Sequence, residues 1–444
     1  MQQLRILIFF ILTAPLTIHA QTADSTWTLN KCIDYALAHN IQVKQADIGV
    51  KSSKIDLLTA KAAFLPSLSG SLSQTFSNGK VASLVNNQYV NESDIGGRYS
   101  LNANMTLFNG NQTEKNVQIQ RLQVSSNELT VEQTKNSIIV SITQDYLQVL
   151  YDNETVKTDQ QTVATSEAEL KQSKEMLDAG SIAMNDYAQV ETQLSTDQYN
   201  LAVAKSTLQQ DILTLKQLLE LGINDSFEPY FPSLSNNEIL QPISDLNTLY
   251  NNAVTSRPEI KSSQLSVKIA TLTYQKSKGA YWPTLSLSGD IGTGNQYNNM
   301  NTKFGTQLNN NLSKSIGLTL SIPIFNNRET KSAVEKAQLD IQNAQLNLEA
   351  AKKDLMKTIE TLYQNTISAQ QKYLAAQQQE KSAQISYSLV EDQFNLGMQN
   401  TVALLTAKNT YLSAQQQMLQ AKYSAILNLK LLNFYQNIPI TLAE

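Results

Sequence analysis

The residues of this chain that could do chemistry are few, and they do not gather into a reaction centre. His19 and His39 are the only histidines, and no HExxH or GxxxxGK[ST] spacing occurs. Cys32 is the single cysteine, set in Leu29-Asn30-Lys31-Cys32 without the small neighbours of a lipidation box. It reads as a half-buried helix residue, outside any disulfide or metal site. The carboxylates are spread along helical faces with no acid/base pair that stands out. One acid has a defined place: Asp186 lies a short way past Gly180, where a carboxylate favours the start of a helix. No catalytic residue, metal ligand or cofactor is expected, and the chain does not read as an enzyme.

Composition narrows the class further. Against 34 basic residues stand 38 acidic ones, a formal charge of −4, so the basic field that nucleic acid demands is missing. Only 15 Gly and 9 Pro interrupt 444 residues, which favours long helices. Residues 1–20 read as a secretory signal: Arg5, an apolar run from Ile6 to Leu12, Pro15, and Ala20 before the cut. That run is too short to cross about 30 Å of hydrocarbon as a helix.

Helical periods account for most of the chain beyond the signal. Leu29 to Phe64 reads as helix with a break near His39-Asn40, and Pro66 ends it. From Asn327 to about Tyr435 the chain reads as one long hairpin folded at Gly397. Val334, Ala337, Ile341, Ala344, Leu348, Ala351 and Leu355 form a heptad seam on its first arm, and Leu404, Ala407, Tyr411, Ala414, Met418, Ala421, Ala425 and Leu432 form one on its second. A comparable hairpin at about 111–221 turns at Gly180, seamed by Val117, Val124, Val131 and Ile138, and by Tyr187, Leu194, Leu201, Leu208 and Leu215. Each longer arm predicts a helix of roughly 100 Å.

Between the helices the period falls to two. Strands are expected at about 66–76 and 99–108, and again at about 283–291 and 315–323, each with one apolar and one hydroxyl-rich face. Leu101, Met105, Leu318 and Leu320 lie on the apolar faces. Ser77 to Arg98 and Gly292 to Leu312 read as loops, and Asp225 to Ser244 as an irregular linker. Phe64-Leu65-Pro66 returns as Tyr281-Trp282-Pro283, Leu107-Phe108-Asn109 as Ile324-Phe325-Asn326, and Gly180 as Gly397. One offset relates all three pairs, since 283 − 66, 324 − 107 and 397 − 180 are equal. The chain therefore divides into a signal (1–20), a first repeat (21–224), a linker (225–245) and a second repeat (246–444).

Four such strands cannot close a barrel, and no second sheet is available to cover their apolar face. A shared membrane barrel of at least eight strands, with twelve favoured for an aqueous lumen, satisfies both demands. Phe64, Phe108, Tyr281, Trp282 and Phe325 sit at matching strand ends, where an aromatic girdle meets a membrane interface.

From Leu29 to about Tyr435 the chain resembles the TolC family of outer-membrane efflux proteins. The resemblance rests on Arg257-Pro258-Glu259-Ile260, the aromatic-Leu/Trp-Pro strand entries, Ile322-Pro323-Ile324-Phe325-Asn326, and Gly397 followed by Val402-Ala403-Leu404-Leu405-Thr406-Ala407. It implies a mainly α fold with transmembrane β: an internally duplicated helix, strand, strand, long-hairpin unit. It further implies a homotrimer with a 12-stranded barrel among outer-membrane lipid, continued by a 12-helix periplasmic α-barrel. The implied function is passive conduction for tripartite efflux or type I secretion, with a periplasmic adaptor (membrane fusion) protein and an inner-membrane pump as partners. The rival expectation is a periplasmic adaptor or structural coiled-coil protein.

One departure from the family concerns the hairpin tips. Members often carry an acid six positions after the turn glycine; the first repeat has Asp186, but the second has Ala403, and Thr406 replaces a position that can also be acidic. The resemblance makes Gly180, Asp186, Phe394, Gly397, Gln399, Ala403 and Thr406 the candidates for tip and gate. With a weaker acid ring, closure is expected to rest more on Phe394, Gln399 and hairpin packing.

Overall fold

A computed structural model describes residues 26–82, 88–232, 234, 239–297 and 303–442. The expected signal, residues 1–20, lies outside them. The chain opens with β1 (Thr26–Trp27), α1 (Leu29–His39) and α2 (Ile41–Ala62). Asn40 makes the break between these helices, its side chain accepting from the Gln42 and Val43 N–H groups at 2.8 and 3.4 Å, as a cap of α2 does. Next come β2 (Ser67–Ala82), β3 (Tyr89–Phe108), α3 (Gln112–Asp178), α4 (Met184–Leu218) and β4 (Glu228–Pro229). The second half supplies α5 (Leu246–Ser256), α6 (Pro258–Gly279), β5 (Thr284–Tyr297), α7 (Phe304–Asn310), β6 (Ser313–Ser321), α8 (Glu329–Asn395) and α9 (Thr401–Tyr435). Both ends of α8 and of α9 keep the offset of the turn glycines from those of α3 and α4, since 329 − 112, 395 − 178, 401 − 184 and 435 − 218 all equal 397 − 180.

The four long strands form one antiparallel sheet in the order β2-β3-β5-β6. Residues directly opposite on antiparallel strands share a face. Leu68, Ala103, Gly289 and Ile316 make one apolar row, and Met105, Leu287 and Leu318 another. Ser69, Asn102, Asp290 and Ser315 make a polar row on the other face. Each expected face therefore continues across both repeats.

Three expected irregular stretches carry structure. Within Ser77 to Arg98, β2 runs on to Ala82 and β3 starts at Tyr89, and Asn78-Gly79 pairs with Ser93 and Glu92 instead of turning. Gly97 does not turn the chain either: it lies inside β3, paired with Gln74 on β2 and Asn295 on β5. Within Gly292 to Leu312, β5 extends to Tyr297 and α7 packs beside it, the Asn311 side chain donating to the Gly294 carbonyl at 2.7 Å. The linker holds β4, which pairs in parallel with β1; the Tyr146 hydroxyl lies within hydrogen-bonding distance of the Trp27 and Tyr230 carbonyls, at 3.1 and 2.6 Å. Such short pairings of Pro-containing sequence leave no alternating signature to read.

The largest apolar cluster sits where the linker, α1 and the return ends of both hairpins meet. Leu29, Ile33 and Ala36 pack there with Ile142, Leu150, Leu215, Tyr423 and Ile426. Cys32 is wholly buried in this cluster, not half-buried, and burial pushes its thiol up to about 12. Closer to the sheet, Gly110 (φ +66°) and Gly279 bring the start of α3 against the end of α6. A Cβ on Gly279 would meet the Gly110 carbonyl oxygen at 2.5 Å and Gln112 Cγ at 2.6 Å. Gly279→Ala should therefore cost about 1–3 kcal/mol by forcing that contact apart. Gly49→Ala, in mid-helix with nothing within 4 Å, should stabilise by about 0.5–1 kcal/mol. Thermal midpoints of the two variants should move in opposite directions.

Candidate functional site

Each long hairpin ends in a tight turn built by its glycine. At the first tip Gly180 takes φ +74°, its N–H donating to the Leu177 carbonyl while the Ser181 N–H donates to that of Met176. At the second Gly397 takes φ +72°, with the Phe394 and Gln393 carbonyls accepting in the same way. Both are Schellman ends, which satisfy the last carbonyls and need a residue tolerant of the left-handed region.

The remaining tip candidates occupy distinct environments. Asp186 is half-buried on the first turn of α4 and accepts from the Ala183 N–H at 3.2 Å. Ala403 has no charge to offer, and its N–H donates to Asn400, the cap of α9, at 2.9 Å. Gln399 and Thr406 are exposed, the first donating to Gln393 and the second to the Val402 carbonyl. Phe394 is buried with Tyr387 and Leu404 against Met176 and Tyr411, in the packing between hairpins. On the sheet, Leu101, Leu318 and Leu320 are exposed and Met105 is half-buried. Tips and sheet lie at opposite ends of helices about 100 Å long.

Two halves of this chain, residues 32–220 and 249–434, match the family model described as "Outer membrane efflux protein". The chain belongs to the outer membrane efflux protein family. Its relatives include outer membrane efflux protein BepC of Brucella suis, 21% identical over 90% of this chain and 83% of that one. Another is outer membrane protein TolC of Salmonella enteritidis, 23% identical over 83% and 73%. The fold is that of the solved channel protein CusC, with a TM-score of 0.79 at 17% identity over 92% of this chain and 91% of that one. The family resides in the outer membrane of Gram-negative bacteria, and this member is an outer-membrane protein with a periplasmic tunnel segment.

The hairpins of this efflux protein are tied together by a buried ionic cluster that the scattered carboxylates had hidden. Lys408 Nζ on α9 lies 2.6 Å from Glu169 Oε2 on α3 and 3.6 Å from Asp197 Oδ2 on α4, and all three are over nine-tenths buried. It also donates to the Ser166 hydroxyl, which donates onward to Asp197 Oδ2. From α8 the Tyr387 hydroxyl donates to Glu169 Oε1 at 2.6 Å. Burial, reinforced by Glu169, pushes that phenol far above its usual range, so it remains a donor. Burial together with the Glu169 charge also raises the Glu391 carboxyl.

The only sequence signal for this cluster is that Lys408 follows the seam residue Ala407 and Glu169 lies three positions past Ser166; long side chains at positions flanking a seam ordinarily reach for solvent. Here four helices enclose them. Lys408→Met would strand two buried carboxylates and should destabilise the fold by about 3–5 kcal/mol. Denaturant unfolding should show the loss as a lower midpoint at an unchanged slope.

Proposed function

We propose that three copies of this chain form a passive conduit through the outer membrane and periplasm. Twelve strands would make the barrel, with the β2 edge of one copy paired to the β6 edge of the next, and twelve helices would make the tunnel below. The observation that carries this reading is a four-stranded sheet with two open edges and one continuous apolar face. In lipid such edges must find partners, because no water is present to satisfy their backbone groups. Leu101, Met105, Leu318 and Leu320 would face lipid, and the serine, asparagine and threonine rows would face a wet lumen. Further support comes from α2, where Ile41, Ile48 and Ile55 step by seven and stay exposed, and from exposed Leu339 and Leu346 on α8. These stripes are what neighbouring copies would cover.

The chain's own residues supply no energy source, so transport would be driven by an inner-membrane pump reached through a periplasmic adaptor at the hairpin tips. BepC and TolC carry efflux and outer-membrane names, and a toxin and drug export protein of Aggregatibacter actinomycetemcomitans is 25% identical to this chain. Tripartite efflux and type I secretion both fit that likeness. A soluble adaptor or structural coiled coil would leave the apolar sheet face uncovered. Conductance of the purified protein in planar bilayers, measured with its oligomeric mass, tests the proposal; a non-conducting monomer would refute it.

Strand parity gives a sharper test. Leu101→Arg and Leu318→Arg should block trimer assembly, since a charge facing lipid costs about 2–4 kcal/mol near the midplane. Asn102→Arg and Thr319→Arg should assemble normally. Equal damage from both pairs, scored by trimer yield on gels, would remove the case for a barrel.

At the tips, three copies of Asp186 would dominate the field at the tunnel mouth, because Ala403 adds no charge. Asp186→Asn should lower cation preference and block by multivalent cations; Ala403→Asp should raise both. Reversal potentials in asymmetric salt at low ionic strength read the difference, which screening would otherwise hide.

A further inference from the structure

The seam of the first hairpin contains a feature that the second lacks. Along one face of α3 the heptad column runs Ile138, Asp145, Asp152, Asp159, Ser166, Ser173, and it faces Asp197 and Asp211 on α4. The equivalent positions of the second repeat are Leu355, Leu362, Ala369, Ala376, Ala383 and Val390 on α8, facing Ala414 and Asn428 on α9. Helices of identical length, 67 and 35 residues in both hairpins, thus pair through acids in one copy and small or apolar residues in the other.

Asp152 is buried in this seam, at 4% exposure. Gln148 donates to its Oδ1 at 3.1 Å, whereas its Oδ2 has no donor and meets the Asp211 carboxyl across the seam. Two ionised carboxylates cannot share a hydrogen-bonding contact; one proton between them turns repulsion into an O–H···O bond. We propose that Asp152 and Asp211 form a single-proton site that fastens α3 to α4, so that the first hairpin is clamped while the proton is held and loosened when it leaves.

Among the described residues no ion pair is formed to Asp152 or Asp211. On α9, Lys422 is 3.2 Å from Glu154, and Lys408 is held by Glu169 and Asp197. On α4, Lys216 donates to the Ile223 and Asp225 carbonyls and Lys205 is exposed. On α1, Lys31 reaches the Thr26 carbonyl and the Trp27 ring, and Asp34 is exposed. The α3 cation Lys157 is exposed, while α2 and α6 meet α3 nearer its start, at Glu128 and Asn116, and α8 meets it at Glu169. Among the described residues no group of three or more His, Cys, Asp or Glu is arranged to hold a metal ion.

Burial, then Asp211, pushes the Asp152 carboxyl up to about 7. Burial also raises Asp145, next to Asp211, and Asp159, next to Asp197, so the whole column resists ionisation. An acid raised on folding binds its proton more tightly in the closed seam than in the opened one. Stability therefore falls as pH rises from about 4 to about 7 and is level above that, the reverse of a salt-bridged carboxylate.

Hydrogen exchange on the full-length protein in detergent, corrected for intrinsic rates, compares both hairpins within one molecule. Protection of α3 and α4 amides around Asp152 and Asp211 should drop by up to about tenfold for each unit that the pH rises toward about 7, then level off above it. Amides around Ala369 and Asn428 in the second hairpin should show no such trend. Asp152→Asn, which replaces the shared proton by an N–H donor, should remain protected at about pH 8 and lose the pH response. Asp211→Asn should do the same from the other side. The proposal is overturned if both variants keep the wild-type response, if the two hairpins respond alike, or if calcium or a chelator moves the transition, since a metal ion would then occupy the site.

Discussion

Everything else in this chain depends on helix seams that stay narrow over very long distances. Helices of 67 residues run far beyond the one large apolar cluster; outside it they persist because each presents a heptad stripe to its partner. In the second hairpin the stripe alternates alanine with larger residues, as in Ala407, Tyr411, Ala414 and Met418, so the backbones approach closely and dispersion contacts accumulate along the whole length. With no proline inside either arm, the spacing between sheet and tips is set by residue count alone.

The sheet obeys a different constraint. Its residues need not pack on one another, because apolar rows such as Met105, Leu287 and Leu318 lie on one face and polar rows such as Ser69, Asn102, Asp290 and Ser315 on the other. What the strands require is correct register, since a slip by a single position would exchange the faces. Register is held from below by Gly110 and Gly279, whose contact seats the helix ends, and from above by α7 bonding to the part of β5 that pairs with β3 but runs past β6. The helical and β regions thus fix one another at their junction.

The two repeats share geometry but not interior chemistry. Identical helix lengths accept an acidic column in one hairpin and an apolar one in the other, which shows how little of the fold depends on seam polarity. The first hairpin does not balance its own buried charge: Lys408 crosses from the second hairpin to pair with Glu169 and Asp197, and Asp152 stands beside Asp211 without an ion pair among the described residues. Two hairpins of equal helix lengths thus differ in that the acidic column lies in the first alone.

Much of this was determined by sequence alone, because the governing features are periodic or local. Heptads report helices, alternation reports one-sided strands, Pro66 and Pro283 mark their entries, and the turn glycines need a backbone that only glycine adopts readily. The constant offset between the repeats rests on the same landmarks. Tertiary structure alone decided which polar residues were inside. Glu169, Asp197, Lys408 and Asp152 look like any solvated helix residue until helices from both hairpins enclose them. Their burial comes from partners remote in the chain, Lys408 and Glu169 being 239 residues apart. The packed structure also decided that Gly97 lies within a strand and not in a turn, since its partners Gln74 and Asn295 come beside it only in the assembled sheet. Local sequence reports the period of an element; only the packed chain reports what stands opposite each residue.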